Sequence, residues 1–79
     1  MAFSDNLRKA RKRVHMSQAT LSGATGVSVA AICKYESGQM LPTVITAAEL
    51  AKALNVTMEF LVYGKEAKQN EGEQAGNLQ

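Results

Sequence analysis

Lys34 shares one side of a short helical segment with Val29, Ala30 and Cys33, so an ammonium group stands among small side chains. That mixture suits base-pair edges better than bare solvent. A cation can donate to the guanine acceptors, and a small apolar group can meet a thymine methyl. Ile32 and Tyr35, three apart, fall on the other side and read as core. Such a face works only on a helix held at a fixed angle, and residues 17–38, SQATLSGATGVSVAAICKYESG, contain the means. Ser17 caps a first helix of about two turns, and Gly26 is free to take positive φ in a tight turn. Ser28 caps a second helix running to Ser37, where Gly38 ends it. Two short helices joined in this way are how a small protein places a helix in the major groove of DNA.

The charge is consistent with that reading once it is divided along the chain. Residues 1–64 hold seven Lys or Arg against four Asp or Glu, and residues 65–79 hold two against three, so a net charge of +2 masks a more basic body. Five of those cations, Arg8, Lys9, Arg11, Lys12 and Arg13, sit on the first helix. Taken alone the run is equally well a solvated helix face; beside the helix pair, phosphate contact by some of its members is the better reading. The single cysteine, Cys33, excludes an intramolecular disulfide, and no ligands for a metal surround it. No apolar run spans a bilayer and the first residues carry charge where a signal peptide is apolar, so the expectation is a cytoplasmic protein without membrane partners. Seventy-nine residues make one small domain, whose core must rest on Leu, Val, Ile, Met and Ala because only four residues are aromatic.

Periodicity and capping signals predict the remaining elements. A first helix starts near Ser4 as cap, with Phe3, Leu7, Ala10 and Val14 as its inward stripe. The second covers Gln18 to Ala24 with Leu21 inward, and its small residues Ala19, Ser22 and Gly23 allow close helix crossing. Thr43 caps a fourth helix through Leu54, its core side drawn from Val44, Ala47, Ala48, Ala51 and Leu54 with Leu50 beside them, and Asn55 closes it in a left-handed conformation. Thr57 opens a fifth, with Met58, Leu61 and Val62 inward and Phe60 at least partly covered, ended by Gly64. The polar stretch 65–79 has too little apolar surface to offset its ordering entropy and reads as a flexible tail.

The order of these features closely resembles the Cro/CI family of helix-turn-helix regulators, the XRE-like domains typified by lambdoid phage repressors and Cro proteins. The matching elements are RKAR at Arg8–Arg11, SQATLS at Ser17–Ser22, TGVS at Thr25–Ser28, YESG at Tyr35–Gly38 and LPT at Leu41–Thr43. LAKAL at Leu50–Leu54, Asn55–Val56 and FLVYG at Phe60–Gly64 extend the match. The resemblance implies an all-α, compact five-helix lambda-repressor-like domain over residues 1–64, with the helix-turn-helix at helices 2 and 3. It implies a structural ion pair between Arg11 and Glu36. It assigns base contacts to Val29, Ala30 and Lys34, and backbone contacts to Ser17, Gln18, Ser28, Ser37 and Gln39, with plain helix capping an equal role for Ser17 and Ser28. The chain departs from the family pattern at Ser22, Gly23, Thr25 and Cys33. At Cys33 oxidation could block DNA binding, but a small tolerated side chain is the simpler reading. His15 reads as a favourable charge or loop residue after helix one.

The implied function is a sequence-specific transcriptional regulator, a repressor that binds a pseudo-palindromic operator on double-stranded DNA as a homodimer. Dimer contacts are expected from the fifth helix and the Asn55–Thr57 turn, with Tyr63 or Val62 as candidates. An antitoxin or restriction-modification controller of the same fold, and a protein-interaction module without DNA binding, remain open, with polymerase or a toxin as further partners. No nucleophile–base pair, carboxylate pair or metal cluster points to an enzyme, and no cofactor is implied.

Overall fold

The computed structural model describes residues 2–64, so expectations for 65–79 lie outside the described residues. Five helices follow one another: α1 (Phe3–Arg13), α2 (Gln18–Thr25), α3 (Val29–Ser37), α4 (Val44–Leu54) and α5 (Met58–Tyr63), with no strand among the described residues. α1 packs on α3 and α5, α2 on α3 and α4, and α4 on α5. Each helix sends at least one fully buried aliphatic side chain into a shared core: Leu7, Leu21, Ile32, Leu50, Leu54 and Leu61. Each such burial contributes about 1.5–3 kcal/mol, which is what lets helices of six to nine residues persist at all.

Hydroxyl caps start four of the five helices. Ser17, Ser28, Thr43 and Thr57 have extended backbones and accept from the N–H groups of Thr20, Ala31, Thr46 and Phe60. Helix ends are equally local. Gly38 (φ 83°) and Asn55 (φ 58°) take left-handed conformations, and Gln39 N–H and Val56 N–H reach back to the carbonyls of Lys34 and Ala51. The same motif ends α1 without glycine: His15 has φ 59°, its N–H bonds to the Lys12 carbonyl, and Met16 N–H bonds to that of Arg11. His15 is therefore the left-handed closing residue of α1, a role its residue type did not advertise.

Several expected positions differ. Ser4 does not cap α1; the helix begins at Phe3, with Ala2 in the cap position and no side-chain cap, as Phe3 is drawn onto the core. Val14 is exposed because α1 stops at Arg13, and Met16 packs against the core in its place. Val44, Ala48 and Val62 also face outward. On α4 the covered face is Ala47, Leu50, Ala51 and Leu54, and Val44 stands exposed in the first turn. Gly23 does not serve close helix crossing: it is exposed, with nothing within 4 Å of where a Cβ would sit. α2 extends to Thr25, whose hydroxyl donates to the Leu21 carbonyl (2.8 Å) and accepts from Val27 N–H (3.1 Å), fastening the turn that carries Gly26. Thr25, a departure from the family pattern, thus has a local structural use.

Candidate nucleic-acid interface

The cap at Ser28 fixes where α3 begins, and Ile32, Tyr35 and Glu36 fix which side turns in. The remaining side presents Val29, Ala30, Cys33 and Lys34 to the exterior, all exposed. The Lys34 ammonium has no hydrogen-bond or ion-pair partner among the described residues, so its donors are available to a ligand. At the same helix's end, Ser37 Oγ donates to the Lys34 carbonyl (3.1 Å) and Gln39 Nε2 donates to Ser37 Oγ (2.9 Å). These two polar groups are thereby ordered at the rim while staying exposed. Ser17 Oγ accepts from Thr20 N–H and donates to Thr20 Oγ1, both at 3.0 Å.

Behind this face lies a buried polar centre. Arg11 meets Glu36 with two parallel bonds, Nε to Oε2 at 2.7 Å and Nη2 to Oε1 at 2.9 Å, and its Nη1 donates to the Met16 carbonyl at 2.8 Å. Arg8, one turn earlier on the same side of α1, donates to the backbone carbonyl of Glu36 at 3.0 Å and pairs with Asp5 at 2.8 Å. Gln18 Nε2 donates to Glu36 Oε1 at 3.2 Å. Burial by itself would raise the Glu36 carboxyl's pKa; the hydrogen bonds from Arg11 and Gln18, with the charges of Arg11 and Arg8, overcome this and hold it below the usual carboxylate range. The hydrogen bond to Glu36 holds the Arg11 guanidinium above its ordinary value against a desolvation effect of opposite sign. Three helices are thus keyed to one carboxylate, and the angle of α3 relative to α1 and α2 is set there.

The five cations of α1 divide accordingly. Arg8 and Arg11 face α3, the Arg13 guanidinium lies 5.1 Å from the centre of the Phe60 ring, and Lys9 and Lys12 are exposed. Asn6 was not anticipated as a structural residue. It is buried, and its Nδ2 donates to the Leu61 carbonyl at 2.9 Å. The spacing of three between Arg8 and Arg11 is the signal that would have paired them on one face; Gln18 carried no comparable local mark. Cys33 is a free, exposed thiol. Among the described residues no group of three or more His, Cys, Asp or Glu could hold a metal.

A helix-turn-helix family model matches residues 7–61, which takes in α2, α3 and the ion pair that fixes them. The chain belongs to the helix-turn-helix family. Over 61 residues it is 33% identical to the cryptic phage CTXphi transcriptional repressor RstR of Vibrio cholerae serotype O1 (strain ATCC 39315 / El Tor Inaba N16961), covering 77% of this chain and 54% of that repressor. This helix-turn-helix chain therefore spans about half the length of that curated relative. Among solved structures, it superposes on the P22 c2 repressor in complex with synthetic operator 9T with a TM-score of 0.78 and 29% identity, over 82% of this chain and 98% of that one. It matches the restriction-modification controller protein C.AhdI from Aeromonas hydrophila with a TM-score of 0.72 and 29% identity, over 75% and 89%. The five-helix, lambda-repressor-like architecture expected from the Cro/CI resemblance is thus the one found. Among the described residues no helix is long and apolar enough to cross a membrane.

Proposed function

We propose that this chain is a sequence-specific DNA-binding transcriptional regulator, a repressor that places α3 in the major groove and acts in the cytoplasm as a homodimer on a pseudo-palindromic operator. The observation that carries the proposal is the outward face of α3, exposed along its length and oriented from behind by the Arg11–Glu36 pair. Lys34 donates to a guanine edge, while Val29 and Ala30 meet thymine methyl groups. Ser17, Gln18, Ser28, Ser37 and Gln39 surround this face and hold phosphate or sugar, which fixes register without reading sequence. Gln18 contributes one amide hydrogen to Glu36 and keeps a second for phosphate. Two copies are needed because one small module contacts too few base pairs to be selective, and symmetric half-sites about one helical turn apart double that number. A dimer seated over a promoter excludes polymerase.

Selection of bound fragments from a random duplex pool tests the proposal. It should return an inverted repeat, with affinity for the selected site falling steeply as salt rises. Failure to enrich any sequence, with weak and salt-insensitive binding throughout, would leave an interaction module instead. The likeness to C.AhdI favours a restriction-modification controller as the alternative setting, and an operator beside nuclease or methyltransferase genes would decide for it.

A further inference from the structure

The end of α3 is held by α1 at two different kinds of atom. Arg11 meets the Glu36 side chain, whereas Arg8 meets the Glu36 backbone, its Nη1 donating to the carbonyl at 3.0 Å. A carboxylate sits beyond several rotatable bonds, so α3 can rock while keeping the Arg11 pair intact. A backbone carbonyl belongs to the helix frame and moves only with it. Carbonyls in the last turn of a helix lack intrahelical partners. Those of Lys34 and Tyr35 are taken by Gln39 N–H at 3.0 Å and Gly38 N–H at 3.4 Å, and that of Glu36 is taken by Arg8. The guanidinium also brings positive charge to the negative end of the α3 dipole.

Arg8 is itself fixed. Its Nη2 donates to Asp5 Oδ1 at 2.8 Å, so a carboxylate one turn back on α1 holds the planar fork with its other nitrogen aimed at α3. The first turn of α1 lies close to the same helix end: a Cβ built on Gly38 would stand 3.8 Å from Ser4 Oγ. We propose that Arg8, aimed by Asp5, is a positioning residue for sequence recognition: it pins the frame of α3 at its C-terminal end and so fixes the angle at which Val29, Ala30 and Lys34 are presented. The proposal rests on the DNA-binding reading above and adds two residues that touch no base in it. Val29 lies seven residues from Glu36, about 10 Å along the helix, so a tilt of about 5° about the pinned end moves it by about 1 Å. A gap of that size forfeits much of the contact between an apolar side chain and a methyl group.

Two measurements on the full chain test this: residual dipolar couplings without DNA, and affinities for the selected duplex and an unrelated one over a range of salt. Arg8→Met keeps the length of the side chain without its donors and should reorient α3 relative to α1 in the couplings. It should also cut the ratio of selected to unrelated affinity about 10-fold, as much as one mismatched base pair, with the salt dependence unchanged. Arg8→Lys keeps the charge without the planar fork and should fall between that variant and wild type. Asp5→Asn removes a negative charge, which by charge alone tightens binding to every duplex; acting through Arg8, it should instead lower the preference about threefold. Couplings of α3 that are unchanged in Arg8→Met overturn the proposal. So does uniform weakening on all duplexes with a salt slope shallower by about one unit, which makes Arg8 a phosphate contact. Lowered thermal stability with preference intact overturns it too, leaving a structural role alone. If Arg8→Met unfolds, Arg8→Lys and Asp5→Asn carry the same test. A wild-type chain with no preference among duplexes defeats the DNA-binding reading by itself, and the couplings still decide whether Arg8 sets the angle of α3.

Discussion

Two residues apart on α3, Lys34 and Glu36 meet opposite surroundings. Glu36 is buried and bonded by side chains from α1 and α2, while Lys34 is exposed and has no partner among the described residues. The inner side is bonded within the fold and defines an orientation; the outer side is left open among the described residues. A buried pair of this kind adds little net stability over an apolar contact of the same shape, because desolvation offsets attraction. Its physical value is positional: it admits one angle between helices.

The sharpest way to break this contrast is at the inner side. Glu36→Ala leaves the Arg11 guanidinium buried without its counter-charge, with the Met16 carbonyl as its remaining acceptor, and should cost about 3–5 kcal/mol in urea denaturation, whereas replacing both partners by apolar residues (Arg11→Met with Glu36→Leu) should recover much of that loss. An equal loss in single and double variants would mean the pair supplies net stability as well as geometry. The pH dependence follows from the same carboxylate. Its folded pKa lies below the unfolded one, so its stabilising contribution is present in full above the ordinary carboxylate range and is lost as pH falls through the lowered value. Denaturation midpoints of wild type should therefore fall between neutral pH and about pH 3 by more than those of Glu36→Gln.

At the outer side the expected effect is smaller and confined to binding. Lys34→Ala should leave thermal stability unchanged and relax preference at one base position by about 1–3 kcal/mol in competition binding; uniform weakening on all duplexes would make Lys34 a phosphate contact. Smallest is Gly23→Ala, which tests whether the exposed side of α2 is open. With nothing within 4 Å of the added methyl, the variant should gain about 0.5–1 kcal/mol of stability, and a loss would reveal a neighbour there.

Much of this contrast was legible in the sequence because capping and periodicity are local. Ser17, Ser28, Thr43 and Thr57 each reach an N–H three residues ahead, and Gly38 and Asn55 need only their own backbone freedom. The outward position of Val29, Ala30 and Lys34 follows from the same helical period that buries Ile32 and Tyr35. Periodicity says which residues share a stripe but not how far a neighbouring helix covers it, which is why Val14, Val44 and Val62 were expected inward and stand at uncovered ends. The bonds from Arg8 to the Glu36 carbonyl and from Asn6 to that of Leu61 join residues 28 and 55 positions apart, and no short-range pattern encodes them.

The Asn6 amide also ties the stability of one end of the fold to the other. α5, at six residues, is too short to persist in water by its own backbone bonds, and it is held by Phe60 and Leu61 in the core and, from α1, by the Asn6 amide and the Arg13 guanidinium over the Phe60 ring. Hydrogen exchange should then find the amides of α1 and α5 opening together as one cooperative unit, although they stand at opposite ends of the described sequence.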